Sequence, residues 1–466
     1  MKIVTRVVLL VCTLLITLMM TGCGGGGGGG TNPITYFKAS NTDTGDEFGR
    51  SVALSNDGAT LAVGAYHEDS DGITLPIQSN NSANAAGAVY VFTSVGGWQQ
   101  QAYVKASSPN PAADDWFGFS VALSADGNTL AVGAPQLSTS NGAVYVYTRS
   151  GSTWTLQQKM TGGASGDGFG WAVALSGNGL VLAVGAPFES TSASSSGALY
   201  VYTTTAVDNW SSASTPTNDK IKSVTAASEA DAQLGVSIAL NGDGTVLAGG
   251  ANQISNTGPG FVRIFMPTSG APDVWATHSE KDIKAGDGEV DDQFGVSVSL
   301  NSLGDILAVG AWQEDSNTIT DTTNNGATDS GAAYVFVTSD TWGAAAPAET
   351  YVKASSPVAN DNFGTSVSLN GSGDMLSVGA PFAASTGTAY RIVNNVTWAG
   401  GIASEQEITP PSGDNGDQFG FSVSLGKTSG RLAIGDKYED SSATGVNGDK
   451  TDNSKPDSGA AYVYAP

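Results

Sequence analysis

Cysteine is almost absent from this sequence, with Cys12 and Cys23 the two in 466 residues. Cys12 lies in an apolar leader expected to be removed, so Cys23 would have no partner and the mature chain no intramolecular disulfide. Histidine is equally scarce. A Ser-His-Asp site would have to recruit His67 or His278, and nothing in the spacing points to it. Gly118-Phe119-Ser120 begins like a nucleophile elbow but lacks the closing glycine, so no catalytic residue is assigned. Basic residues are few, 19 against 43 acidic ones, for a net charge of −24. That balance excludes nucleic acid and anionic lipid as direct ligands and suits cations or basic partners.

The longest apolar run, Val7 to Met20, is too short and wrongly flanked for a spanning helix. With Lys2 and Arg6 before it, the run reads as a targeting segment. It ends in Met20-Thr21-Gly22-Cys23, which resembles a bacterial lipobox. Residues 1–22 are therefore expected to be a lipoprotein signal peptide, with Cys23 the lipidated residue; an ordinary secretory signal is the other reading. Several acyl chains on one residue hold a protein stably at a membrane, where a single chain does not. Residues 23–32, with the glycine run Gly24 to Gly30, form a flexible tether. The expected location is the bacterial outer membrane, facing the periplasm or the cell surface, with the lipid anchor as the one membrane contact.

What is abundant is a repeat. Asp115 to Pro135 contains two short strands in which Val121 and Leu123, then Leu130 and Val132, alternate with small residues. This is the period of two that a strand requires. Asp126-Gly127 between them is a hairpin signal of the two-residue type. The Phe-Gly pair recurs at Phe48, Phe117, Phe169, Phe294, Phe363 and Phe419, with Leu234-Gly235 as a seventh copy. Each has an Asp two residues earlier, expected to cap its turn. Copies are about 52 to 69 residues apart, and each continues through a Gly-Ala strand or a near variant, an aromatic strand such as Gly87–Phe92, and an outer strand such as Ala102–Ser107.

Four antiparallel strands in seven units predict an all-β fold, a seven-bladed β-propeller over residues 33–466. The blades fall near 46–107, 115–162, 167–226, 231–286, 292–356, 361–410 and 417–466. The last unit ends on its third strand, Gly459 to Tyr464, and Thr35-Tyr-Phe-Lys-Ala-Ser40 has the character of the missing outer strand. Residues 33–40 are thus expected to complete the seventh blade and close the ring, removing two exposed sheet edges. A β-helix or open solenoid is the alternative.

These residues resemble the FG-GAP repeats of integrin α-subunit propellers, and more closely those of bacterial FG-GAP proteins that share the F-G-x-S-V…L-A-V-G-A-P wording. The resemblance implies a monomeric propeller serving binding or adhesion. Integrin-type repeats often place an acidic calcium loop between the Phe-Gly and Gly-Ala strands. Here short turns such as Asn56-Asp57-Gly58 stand in its place, and one Asp with a Gly cannot supply six to eight oxygens.

Ligands are expected on the face that carries the Asp-x-Phe-Gly turns and the loops after Gly-Ala. Three of those loops are long, Tyr66–Ala86, Trp312–Ser330 and Lys437–Ser458, and each opens on a Glu-Asp-Ser run. Glu68, Asp69, Asp71, Glu314, Asp315, Glu439, Asp440, Asp449 and Asp452 are the candidate ligands for a hard cation such as Ca²⁺, against the plainer reading of acidic solvated loops. Trp116, Trp171 and Trp312 lack equivalents in most units and are the candidate ligand-face aromatics, with an interblade role as the other reading. Trp98, Trp154, Trp210, Trp275, Trp342 and Trp398 are expected to cover the outer strands. The function so implied is a non-enzymatic module presenting one face to a protein or glycan in adhesion or envelope organisation. A polysaccharide-active enzyme using Glu68, Asp69, Glu314 or Glu439, and a purely structural scaffold, are the other readings.

Overall fold

The computed structural model describes residues 34–465 except 73–79, 107–110, 137–140, 191–192, 207–208, 212–219, 223–229, 254–257, 271–274, 319–323, 341, 344, 395–396 and 399–400. The leader, Cys23 and the glycine tether lie outside the described residues. From Ile34 onward the chain forms one compact unit of seven four-stranded antiparallel sheets.

The inner strands are Ser51–Leu54, Ser120–Leu123, Val173–Leu175, Ser237–Leu240, Ser297–Leu300, Ser366–Leu369 and Phe419–Leu425. In blades one to six the strands follow in sequence order from inside out. Blade seven takes its outer strand from the start of the unit, where Ile34–Phe37 pairs antiparallel with Ala460–Tyr464, Ile34 opposite Tyr464 and Phe37 opposite Ala461. The ring is closed as the repeat pattern predicts.

Each inner hairpin turns through four residues where the sequence suggested two. The Ser124 amide donates to the Thr129 carbonyl at 3.0 Å, so Ala125 to Asn128 form the loop. Asp126 organises it: its Oδ1 accepts the Ser124 hydroxyl at 2.6 Å and the Asn128 amide at 3.0 Å. These side-chain bonds favour the longer turn over a tight two-residue one.

The described core divides into seven clusters, each shared by two neighbouring blades. The repeated Phe belongs to these junctions. Phe117 is fully buried between Val89 and Val91 of blade one and Tyr145 of its own blade, whose ring it meets edge-on with centroids 5.3 Å apart. Trp210, Trp275, Trp342 and Trp398 are buried, and the Trp342 and Trp398 indoles donate to the Gly304 and Gly373 carbonyls of the inner turns, at 2.6 and 2.7 Å.

Two rims of hydrogen bonds hold the blades around a central channel. On the Phe-Gly side the serine two residues past the glycine donates to the Phe-Gly carbonyl of the next blade: Ser51 to Gly118 (2.9 Å), Ser120 to Gly170 (3.0 Å), Ser237 to Gly295 (2.7 Å), Ser297 to Gly364 (2.8 Å), Ser366 to Gly420 (2.9 Å) and Ser422 to Gly49 (2.9 Å). Blade three has Ala172 at that place and omits the bond. The opposite rim is a closed circuit of backbone bonds. It runs from the Asn56 amide to the Ala125 carbonyl, then Ala125 to Gly177, Asn178 to Gly242, Gly242 to Ser302, Ser302 to Gly371, Gly371 to Lys427, and Thr428 back to Asn56, all at 2.9 to 3.1 Å. The turn of blade seven also supplies Lys427, whose ammonium reaches the Leu300 and Leu369 carbonyls of blades five and six at 3.0 and 2.7 Å.

Candidate functional site

The two rims make the ends of the channel unequal. On the Phe-Gly side the residue immediately after each Phe-Gly or Leu-Gly pair points into a cavity of about 450 Å³, and these seven are Arg50, Phe119, Trp171, Val236, Val296, Thr365 and Phe421. The cavity narrows to Val52, Val121, Val173, Val298 and Val367, which also line a smaller one of about 230 Å³ on the turn side, where Lys427 sits. A backbone that repeats sevenfold thus carries an unsymmetrical lining. Phe421, Arg50, Phe119 and Trp171 of blades seven, one, two and three form one wall. Val236, Val296, Thr365, Asn252, Gln293 and Trp312 of blades four, five and six form the other.

Arg50 is the only charged side chain among the residues lining the wider cavity. Its guanidinium carbon lies 4.1 Å from the Phe119 ring centroid and 5.0 Å from that of Phe421. Stacking on rings covers the faces of a guanidinium and leaves its N–H edge for hydrogen bonding. Among the described residues the Arg50 guanidinium makes no hydrogen bond or ion pair, and Tyr66 and Glu47 are close enough to favour its charge. Phe421 is approached on its own account by Lys437, 4.1 Å from its centroid, and burial pushes that lysine down to about 8. Phe119 also meets Trp171 at 4.6 Å, and Trp171 in turn packs edge-on against Phe188 at 5.1 Å. In the facing wall the Trp312 Nε1 and the Asn252 Oδ1 are buried without partners among the described residues.

Of the three tryptophans singled out in the sequence, Trp171 and Trp312 line this cavity and Trp116 does not. Trp116 stacks on the outer side of Phe119, with planes 15° apart, and contacts Tyr66 and His67. Arg50, Phe119 and Phe421 were missed. The signal was present, since the position after Phe-Gly is the one place in the F-G-x-S-V wording where chemistry changes from blade to blade.

The acidic loops have a different use from the one expected. Glu68, Glu314 and Glu439 are each nearly fully buried and ion-paired with the lysine of an outer strand: Glu68 with Lys105, Glu314 with Lys353, and Glu439 with Lys38 at 2.8 Å. The serine at the loop's far end completes two of these sites, with Ser330 2.8 Å from the Lys353 ammonium and Ser458 2.7 Å from that of Lys38. Asp69, Asp315 and Asp440 accept the amides of Ala85, Asp329 and Asp457 at 2.7, 2.8 and 2.8 Å, fastening the loop's return to its start. Asp71 bonds Asn80, Asp449 caps Thr451 and Asp452 caps Ser454. Among the described residues no three His, Cys, Asp or Glu side chains converge on one point. A buried lysine satisfies each glutamate in the role foreseen for a cation. The correlation was legible, because the Glu-Asp-Ser loops and the Lys-Ala-Ser strands occur in the same three blades.

The aspartate before each Phe-Gly behaves as a turn cap. Asp46, Asp115, Asp292 and Asp417 accept the amide of the residue three before them at 2.7 to 2.9 Å. Burial, aided by neighbouring carboxylates, raises Asp292 and Asp417 to about 7. Asp436 takes the place of the usual Gly-Ala alanine. It is fully buried, neither carboxyl oxygen has a partner among the described residues, and burial raises it well above the usual carboxylate range. A carboxyl whose folded pKa exceeds its unfolded value holds its proton more tightly in the native state. Its contribution to stability is therefore greatest at low pH and is lost as pH rises from about 4 through about 7. Lys427 and Lys437, lowered to about 8 by burial, act in the opposite sense between about 8 and 10.5. The melting temperature is expected to be higher at pH 5 than at pH 7.5, as read by calorimetry in matched ionic strength. A flat or rising profile over that interval would refute the assignment.

A closed propeller with an open, chemically uneven mouth at one end and a laced rim at the other is consistent with a binding or structural module. The FG-GAP repeat family model matches residues 35–92, 98–147, 154–202, 278–336 and 403–464, more than half the chain, and the chain belongs to that family. By their described strands, the matched stretches run from the outer strand of one blade through the first three strands of the next, so the sequence repeat straddles two blades. No curated protein sequence matches the chain. Among solved structures, Kuenenia stuttgartiensis hydrazine synthase is similar, with a TM-score of 0.51 at 12% identity, covering 88% of this chain and 96% of that one. At that identity the likeness concerns the fold alone.

Proposed function

We propose that this protein is a lipid-anchored, extracytoplasmic binding module that receives a protein or glycan partner in the cavity at the Phe-Gly mouth, in adhesion or envelope organisation. The observation that carries the proposal is the unsymmetrical lining: a symmetric scaffold needs no stacked Phe421–Arg50–Phe119–Trp171 wall for its own closure. Pockets of about 300–1,000 Å³ with aromatic walls and a few polar groups are the usual form of ligand sites. Binding without turnover fits better than glycoside hydrolysis, which uses two carboxyl groups across the scissile bond. None of the described lining residues is acidic, and Glu68, Glu314 and Glu439 are committed to lysines.

The test is cosedimentation of the purified propeller with isolated cell-envelope material. The native protein is expected to be retained, and the Phe119→Ala/Trp171→Ala double variant to lose at least about tenfold in retention, in line with about 2 kcal/mol for a central aromatic anchor. Retention that ignores the double substitution would overturn the cavity as the binding site. Protease shaving of intact cells, with a periplasmic control, reports which side of the outer membrane the propeller faces.

A further inference from the structure

We infer that the ligand of this cavity is a saccharide end bearing a single carboxylate, which Arg50 binds while the sugar ring rests on the Phe119–Trp171 wall. The inference rests on the binding reading above and narrows it to a chemical class.

The charge comes first. Arg50 lies over the rings of Phe119 and Phe421 and makes no hydrogen bond or ion pair among the described residues. A guanidinium offers parallel N–H donors matched to a planar two-oxygen acceptor, and a carboxylate is that acceptor. With the fork already held between two rings, little ordering remains to be done on binding. Arg50 is the one charge in the lining, with Lys437 behind Phe421, in a chain of net charge −24, and this sets an upper limit on the anion. A polyuronate or a doubly charged phosphate would meet long-range repulsion at every further charge, whereas a single carboxylate inside the mouth meets Arg50 directly.

The remaining lining suits a sugar better than a peptide carboxyl terminus. Phe119 and Trp171 are 4.6 Å apart and tilted by 51°, a bent apolar wall of the kind on which the C–H face of a pyranose packs. Opposite them an unpaired donor, the Trp312 Nε1, and an unpaired acceptor, the Asn252 Oδ1, lie in residues that line the same space. A hydroxyl both donates and accepts and answers either group. A peptide would bring a row of backbone amides needing acceptors. It would also bring carbonyls needing donors, and the serines of the lining have already given their hydroxyl protons to the glycine carbonyls between blades. The volume of about 450 Å³ admits one or two sugar rings.

Calorimetric titration of the whole propeller decides it, using cellobiose, its singly oxidised analogue with a terminal glucuronic acid, and a tetrapeptide with a free carboxyl terminus. The acidic disaccharide is expected to bind at least tenfold more tightly than cellobiose. Arg50→Met is expected to remove that difference between the two disaccharides, while Trp171→Ala weakens both sugars. Melting curves of both variants show whether the ring is intact. Equal affinity for the two disaccharides overturns the carboxylate assignment but leaves a Trp171-dependent binding site standing. Preference for the tetrapeptide overturns the saccharide assignment. If no probe binds and the double aromatic substitution also leaves envelope retention unchanged, both this inference and the binding reading fall.

Discussion

Lys38→Met is expected to destabilise the propeller by about 3–5 kcal/mol, the usual cost of removing one partner from a buried ion pair. Lys38 is fully buried on the strand that closes the ring, and its ammonium lies 2.8 Å from Glu439 and 2.7 Å from Ser458 of blade seven. Tyr36, on the same strand, donates to the other Glu439 oxygen at 2.8 Å. Without the lysine, Glu439 has no cation facing it and lies near Asp436, whose carboxyl has no partner among the described residues, so the loss is one of charge compensation as well as of bonds. Adding Glu439→Gln removes that charge and keeps an acceptor for Tyr36, so the double variant should regain much of the lost stability. Denaturant midpoints measure both, and hydrogen exchange at Thr35 to Phe37 shows whether the closing strand is the part released. Lys105→Met and Lys353→Met should weaken their own outer strands without freeing the closure. A Lys38→Met protein as stable as the native one would overturn the role of this ion pair in holding the ring closed.

The second large effect is expected at the contact between Phe-Gly and Gly-Ala glycines. A Cβ at Gly64 would lie 2.0 Å from the Gly118 carbonyl oxygen of the next blade, and one at Gly118 would lie 2.5 Å from the Ala88 oxygen. Both obstacles are backbone, so neither side chain rotation nor local adjustment relieves them. Gly118 also has φ +93°, which adds strain of about 1–3 kcal/mol for any other residue. Overpacking contributes about 1–3 kcal/mol more. The expected order of destabilisation is Gly118→Ala, then Gly64→Ala, then Gly96→Ala, which has positive φ but nothing within 4 Å. Thermal midpoints of the three check it. Equal shifts for Gly96 and Gly118 would mean that blade contact adds nothing to backbone strain. These contacts also explain the glycines of the repeat, since a blade can sit this close to its neighbour only where two backbones meet without side chains.

The binding cavity and the ion pairs were legible to very different degrees. Strand order, blade number and the closing role of residues 34–37 all follow from local signals: alternation in Val121 and Leu123, the Asp126-Gly127 turn, and the matching wording of Thr35–Ser40 and Thr350–Ser355. The ion pairs of Glu68, Glu314 and Glu439 were not legible locally, because beside their Asp and Ser neighbours these glutamates have the pattern of candidate cation ligands. Their lysines lie 37, 39 and 401 residues away. Cation binding and a buried salt bridge ask for the same carboxylates, and only the position of the outer strand separates them.

What the sequence determined unaided is the repeat and hence the ring, because strand period and turn chemistry act over a few residues and are written seven times. What the tertiary structure decided is which side chains meet at the centre. Arg50, Phe119, Trp171 and Phe421 are variable residues far apart in the chain, and each looks incidental within its own blade. Closure of the ring carries all four to one mouth, where the stacking of one on another creates a property that none of the separate repeats contains.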